Sequence, residues 1–473
     1  MRPRSDQQNV VTKGRFLTGS TMGHVARMTL TGAFGITFVF IVDAANLFWI
    51  SQLGDPRLVA AIGFAFAIQF FSVSVGIGLM IAAIALISRA IGEDDMDRAR
   101  RTTTSAAFLA CLVQSLTAAL IILFRHELLA YSGATGETAD LAARYLLISV
   151  PSLSVMAISM VANGALRAHG DGARSMYVTL TSGAIAMVVD PILIYGLGLG
   201  LDGAAIGISL FRCVMLVMAL RFAISVHDLM AKPSFDDIRD LLRPFFLTAI
   251  PAILTQMATP AGNYLITTVV ARFGDDAVAG WAVVGRLSVV AFGGIMSLSG
   301  SVGGIFGQNF GARRYDRLET TFRDAMRFGI GYSLVAWALL SLSAPLVIKG
   351  FDLEPLGAEV VRAFTNVGAG GFVFAAALFV SNAAFNSLGR PTRSTVINWL
   401  RDGAMTLPLA LLMTGLFGAA GVIYAQAGAN LIVGSLAAWW AWLYIRSLHR
   451  LALPPVEVEP PRPYANADRF RRR

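Results

Sequence analysis

"VANGALRAHGDGARS" (residues 161–175) returns as "VSNAAFNSLGRPTRS" (residues 380–394), with Asn163 meeting Asn382, Gly170 meeting Gly389 and Arg174 meeting Arg393. One echo proves little, but others keep the same order at nearly the same offset. "LGDPRLVAAIGFAFAIQFF" (53–71) is answered by "FGDDAVAGWAVVGRLSVVAF" (273–292), and "SRAIGEDDMDRARR" (88–101) by "GQNFGARRYDRLET" (307–320). "LDGAAI" (201–206) has its counterpart, a few residues out of step, in "LFGAAG" (416–421). Together they indicate one unit written twice.

The repeated unit is a membrane unit. The 473 residues are 56% hydrophobic and 14% charged, with mean hydropathy +0.65. A soluble chain carries roughly a quarter charged residues. The apolar runs form about 12 segments near the length needed to cross a bilayer, and they lack the alternation of a transmembrane β-barrel. The fold class expected is therefore all-α and polytopic, with two six-helix lobes. The spans expected are 24–50, 58–88, 102–124, 141–166, 173–196 and 203–226, then 244–271, 277–307, 319–348, 359–386, 394–415 and 419–446.

This divides the chain into an N-terminal tail (1–23), a first lobe (24–226), a linker (227–243), a second lobe (244–446) and a C-terminal tail (447–473). The Pro-rich, charged C-terminal tail is expected to be disordered. The polar, basic N-terminus lacks the apolar core of a signal peptide. An even number of spans per lobe gives both lobes one orientation, related by an axis along the membrane normal, which is a transporter plan.

The net charge of +9 would suit nucleic acid or a membrane surface. Its distribution favours the membrane. Arg89, Arg98, Arg100 and Arg101 fall in one loop, and Arg313, Arg314 and Arg317 in the matching one, while "GLGLGLDG" (196–203) has no basic residue. The positive-inside rule then puts both termini in the cytoplasm of a cell (plasma or inner) membrane protein. No nucleic-acid partner is expected.

Enzyme chemistry finds no support. There is no Walker motif, no H-E-x-x-H and no G-x-S-x-G. Cys111 and Cys213 lie in apolar segments and suggest neither a disulfide framework nor a metal site. Acids inside the spans are what stand out. Asp43 sits in "FVFIVDAANLFWI" (38–50), Asp190 precedes Pro191, and Asp402 follows Arg401. An Asp at a span centre costs about 2.5–3.5 kcal/mol on insertion and usually marks an ion or substrate path. Such a group can exchange a proton or hold a cation. The repeat carries Asn263 opposite Asp43 and Leu409 opposite Asp190. The fold is duplicated, then, but the ionisable pair is not, and coupling is expected in the first lobe alone. Asp402 reads first as an ion pair with Arg401.

At this point the residues resemble a known family. Over roughly residues 20 to 446 the chain is similar to MATE (multidrug and toxic compound extrusion) transporters. "FVFIVDAANLFWISQLG", "LISRAIGEDDMDRA", "GQNFGARRYDRL", "ALRAHGDGARSM" and "VVDPILIYGLGLGLDGAAIG" carry the likeness. The resemblance implies a V-shaped pair of lobes and antiport of an organic, often cationic, compound against H⁺ or Na⁺. It makes Asp43, Asp190 and Asn163 first-lobe cation-site residues.

Departures accompany it. Ala186 stands where many members carry an asparagine, so a sodium cage lacks one oxygen, which Ser209 could supply. Span 1 lacks the proline many relatives have. The second lobe lacks an acid in span 7, where Gln256 and Thr259 are the nearest polar groups. Gln69, Met187, Gln256, Asn263 and Asp402 are the cavity candidates.

The expectation is a secondary antiporter for small organic, cationic or amphipathic compounds, driven by H⁺, without cofactor or resident metal, and acting as a monomer. Sodium coupling is the close alternative. A lipid-precursor flippase is a second one, and it calls for basic residues inside the cavity. Mid-span arginine and lysine are expected to be absent apart from Arg286, early in span 8.

Overall fold

A computed structural model describes residues 14–450, and every regular element among these residues is helical. The N-terminal tail up to residue 13 and the C-terminal tail from residue 451 lie outside the described residues. Eleven segments are long and apolar enough to cross a membrane. The last, Pro391–Arg450, has 60 residues. As one helix it would run about 90 Å, three times a hydrocarbon core. It instead turns at Gly418 (φ +57°), and Thr406–Phe417 packs against Gly421–Arg450. Twelve spans result.

The duplication is legible in the turns. Gly54 and Gly274, Asp94 and Arg313, Gly133 and Asp352, Gly170 and Gly389, and Gly198 and Gly418 all have positive φ, each pair 219 or 220 residues apart. Gly170 and Gly389, the glycines of the opening repeat, close spans 4 and 10. Side-chain caps set the starts. Ser20, Asp55, Asp95 and Asp171 accept from the first backbone N–H groups of spans 1, 2, 3 and 5.

The helices overrun the apolar runs because polar first turns are satisfied by caps and ion pairs. Span 7 shows this most. It begins at Phe235, so the second half of the 227–243 linker is already helix. Its acidic first turn carries Asp236 and Asp237, and Asp237 pairs with Arg101 of span 3.

Each half has its own buried core, with one exchange. Val25 and Met28, at the start of span 1, belong to the second core, whereas Ile50, near its end, belongs to the first. Span 7 mirrors this, with Phe245 and Ala249 in the first core and Ile266 and Val269 in the second. Small residues permit the crossing. Gly32 lies against Ser297 and Ser301, and Gly78 against the backbone of Ile253.

Between the lobes, the hydrogen bonds among the described residues lie on the face where span 1 begins. Gln308 accepts from the Phe16 N–H (3.0 Å) and donates to the Ala168 carbonyl (2.6 Å), and Arg89 donates to the Ser387 carbonyl (2.8 Å). Ser297 and Ser301 donate to Thr29 and Met28, Arg317 to the Phe16 carbonyl, and Thr21 to Asp324. The molecule is sealed at that face.

Candidate functional site

The second half of span 1 carries Asp43 and Asn46, three residues apart and so on one helical face. Span 5 presents Asp190 just before Pro191, which has no N–H to continue the ladder, and the helix widens into a π-turn over Ile192–Gly196. Asp190 is 3% exposed. Its Oδ2 accepts from Asn46 Nδ2 at 2.9 Å. Its Oδ1 has no partner and is pressed against Gly207 of span 6, where any Cβ would collide with it. An unsatisfied buried acceptor costs about 1–3 kcal/mol, more when charged.

One turn beyond, Tyr195 donates to the Trp49 carbonyl, a second tie between spans 1 and 5. Asp43 is half-buried. Among the described residues nothing hydrogen-bonds it, and the charge that reaches it is that of Arg212.

Arg212 corrects the expectation that the spans hold no central basic residue beyond Arg286. It lies twelve residues into span 6 and is 3% exposed. It donates to the Ser149 carbonyl (2.9 Å), Ser152 Oγ (2.8 Å) and Gln69 Oε1 (2.8 Å). Span 4 is broken there. Pro151 interrupts it with a tight turn over Val150–Ser152, and the Ser149 carbonyl there accepts both the guanidinium and the Ser152 hydroxyl (2.6 Å). Tyr145, one turn before the break and 4% exposed, lies within electrostatic reach of Arg212, Asp43 and Asp190.

At about 1.5 Å per residue, Asp43, Asp190 and Ser209 sit about 12, 9 and 14 Å from the ends of their helices on the face opposite the seal. By that rise the three fall within about 5 Å of one depth. Ser209 donates to the Ala205 carbonyl (3.0 Å), with the Ile148 carbonyl at 3.5 Å. Ala186, 3% exposed, lies one turn before Asp190 and offers no oxygen. Asn163 is not brought to this level. It lies six residues from the sealed end of span 4, where its Oδ1 is buried without a partner.

Of the cavity candidates, Gln69 spends both ends of its amide inside the lobe, on Ser149 Oγ (2.9 Å) and Arg212. Met187 and Gln256 are half-buried, and Asn263 is exposed. Asp402 is paired with Arg401 through two 2.7 Å contacts and accepts from Thr259 at 3.1 Å, with Gly262 packed on its Cβ. An open groove of about 570 Å³ along span 5 is lined by Leu180, Thr181, Ala184, Ile185, Val188 and Val189. Those positions face away from Asp190 on the same helix, so the groove is not part of the site. Among the described residues no cluster of three or more His, Cys, Asp or Glu side chains forms a metal site.

Sequence reasoning missed Asn46, Tyr145, Gly207 and Arg212. Asn46 had a signal, being one turn from Asp43. Arg212 hid in "SLFRCVML", where flanking apolar residues keep the segment's hydropathy high.

Comparisons with known proteins agree with this architecture. The family model described as MatE matches residues 33–192 and 251–412, one stretch in each lobe. The chain is 27% identical over 425 residues to an FAD transporter from Shewanella oneidensis, covering 88% of this chain and 94% of that one. It is 24% identical over 433 residues to the multidrug export protein MepA of Staphylococcus aureus, covering 90% and 93%. A solved outward-facing structure of a multidrug resistance MATE family transporter of the MOP superfamily superposes with a TM-score of 0.86 at 21% identity, covering 93% and 99%.

Proposed function

The chain belongs to the MatE family of membrane transporters, and from that premise we propose a proton-driven antiporter with its coupling site in the first lobe. It exports small organic compounds, cationic or amphipathic, across the cell membrane. The observation that carries this reading is Asp190, buried with one oxygen on Asn46 of span 1 and the other unpartnered. Asp43 lies one turn from Asn46 on the same helix. Two carboxyls at one depth, on separate helices joined by one amide, form a device that a proton can alter.

An ionised Asp190 makes a charge-assisted bond to Asn46. Protonation leaves a neutral one, roughly half as strong. The tie between spans 1 and 5 then weakens. Span 1 carries that change to the second lobe, because its first half is packed there. With the termini in the cytoplasm, the seal lies on the inner side and the acids lie toward the outside, where protons enter. Proton binding favours release of the organic compound outward, and proton release inward resets the carrier. The protein acts as a monomer, without enzyme chemistry.

Sodium is the less favoured ion, since Ala186 withholds an oxygen that a cage of six or more ligands needs. The two relatives named above divide on substrate, one carrying FAD and the other exporting drugs. The drug reading is preferred because Arg212 is fully engaged by neutral acceptors; Arg286 of span 8, exposed and without an ion-pair partner among the described residues, is a group in the spans that favours an anionic substrate instead.

The test is a proteoliposome assay with a fluorescent cationic drug, run under ΔpH and, separately, under ΔNa⁺ with pH clamped. Wild type should respond to ΔpH, and Asp43→Asn should not. Full ΔpH-driven export by Asp43→Asn would sink the coupling assignment.

A further inference from the structure

On the sealed face a short piece of chain crosses the seam between the lobes. Residues 14–19 run ahead of span 1, and a tight turn over Arg15–Leu17 sets Phe16 inward, where it is 1% exposed. The slot that holds its ring has one wall from each lobe. Gly304 of span 8 forms one wall, and Gly170, at the end of span 4, forms the other. A Cβ added at either position would come within 3.4 Å and 3.1 Å of the ring. Two glycines from opposite lobes thus make the room that one phenylalanine fills.

The strap is held unequally by the two lobes. Phe16 N–H donates to Gln308 Oε1 at 3.0 Å. The Phe16 carbonyl accepts from Arg317 at 3.0 Å and from Asn309 at 3.4 Å, and Arg317 also donates to the Gly19 carbonyl at 3.1 Å. These donors and acceptors all belong to spans 8 and 9, and Phe16 packs in the second core. Toward the first lobe the strap makes van der Waals contact and, among the described residues, no hydrogen bond. Arg15 and Phe16 lie on Gly170, and Gly14 lies beside Ile91 of span 2. Directional bonds fix the strap to one lobe, while the other can slide away from it.

We propose that residues 14–19 are a latch carried by the second lobe, with Phe16 as its bolt, and that the sealed face opens only when Phe16 parts from Gly170. Rocking one bundle against the other requires this face to separate at some point in the cycle. Gln308 stands at the point of separation. Its Nε2 donates to the Ala168 carbonyl of the first lobe at 2.6 Å while its Oε1 holds Phe16. Parting breaks the first bond and keeps the second. The latch therefore biases the protein toward the state with this face closed, and weakening it shifts the population the other way. It acts whichever ion drives transport, so it goes beyond the coupling reading and fails or stands independently of it.

The reporter is a cysteine at Ser88 of span 2, which is fully buried against Gly307 of span 8 across the seam. Ser88→Cys is placed in the full chain with Cys111→Ser and Cys213→Ser, and its reaction with a bulky maleimide is timed on purified protein well below the melting temperature. With the latch intact, labelling should be slow. Phe16→Ala and, separately, Arg317→Met should each speed it by at least about fivefold, as a shifted population requires. Arg317 is half-buried, so its variant serves even if Phe16→Ala fails to fold. Phe364→Leu is the control for stability alone. Phe364 is buried in the second core, edge-on to Phe372. Its variant should lower the melting temperature and leave labelling slow.

Unchanged labelling in both latch variants overturns the proposal. So does equal acceleration in Phe364→Leu, which would mean that any loss of stability opens the face. A second measurement ties the strap to the first lobe. Gly14→Cys and Ile91→Cys, in the same cysteine-free chain, are joined in liposomes by a short cleavable bis-thiol reagent. Export of the fluorescent cationic drug should stop and return on cleavage. Full export with the strap tied would mean that it travels with the first lobe, and the latch would be refuted. Absence of export before tying would defeat the drug-transport reading instead, and the labelling rates would still decide the latch.

Discussion

The two lobes share a fold but treat buried charge in opposite ways. In the second lobe Arg401 and Asp402 close on each other through two 2.7 Å contacts, and Thr259 completes the cluster. That pair is self-neutralised and bidentate, the strong geometry for a guanidinium and a carboxylate. The first lobe closes such a cluster too, Asp171 with Arg174 and His227 near the sealed face, but around the candidate site the same kinds of groups are held apart. Asp190 leans on an amide, Arg212 on an amide, a carbonyl and a hydroxyl, and Asp43 on nothing among the described residues. A closed pair has no use for a proton from solution. An open set of charges does. Duplication supplied two equivalent lobes, and the acids of spans 1 and 5 were left without a guanidinium in contact while the acid of span 11 was given one.

The sharpest way to break this comparison is to neutralise one acid on each side. Asp190→Asn should reduce ΔpH-driven export to the level of protein-free liposomes while the protein stays folded, since an amide fills the same space. Asp402→Asn should do the reverse. It leaves Arg401 facing one neutral amide and Thr259, and stability should fall by about 2–3 kcal/mol, toward the lower end for a broken buried pair. Partial exposure of both side chains (10% and 14%) supports the lower end. The surviving protein should still be driven by ΔpH. Melting curves and the drug-efflux assay read the two effects separately. If Asp402→Asn uncoupled transport and Asp190→Asn only destabilised, the assignment of roles to lobes would be reversed.

A second test uses packing. Gly207 is the floor under the Asp190 carboxylate. In Gly207→Ala the added methyl must displace Oδ1, at a cost of about 1–3 kcal/mol for overpacking. Export should fall severalfold because the bond to Asn46 is disturbed. The equivalent insult in the second lobe is Gly262→Ala, which meets the Cβ and backbone carbonyl of Asp402, not its carboxylate oxygens. Because the methyl presses on the Asp402 backbone and Cβ and leaves the carboxylate untouched, it should cost stability without touching the drive.

The fold was almost entirely legible in the sequence, and the candidate site only in part. Long apolar runs and the repeat gave twelve spans, and three of the echoed pairs proved to contain matching turns. Gly170 and Gly389 recur because both chains of residues need a left-handed conformation there. Asp43 and Asp190 were legible because a carboxylate in an apolar run stands out. Their partners were not. Asn46, Gly207 and Arg212 matter through contacts between spans that no local pattern records. Asn163 illustrates the converse. It repeats as Asn382 and looked like a site residue, yet helix rise alone puts it near the sealed end. Asn382 there accepts from Asn398 at 3.0 Å, a packing role.

The gentlest test concerns Asn46 itself. Its amide is the one side chain that joins Asp190 to the helix carrying Asp43. Asn46→Ala removes that donor and leaves both acids. Spans 1 and 5 remain tied one turn farther out through Tyr195 and the Trp49 carbonyl, so the helices should stay paired. The loss is that of a buried acceptor left without its donor, about 1–3 kcal/mol, and ΔpH-driven export should slow by at least about fivefold. Asn46→Asp is the informative companion. It would place a third carboxylate beside Asp190 in a lobe with one guanidinium, and export should fall further than in Asn46→Ala. Equal activity in the two variants would mean that the lobe is insensitive to its own charge count, and the contrast with the closed pair of the second lobe would lose its meaning.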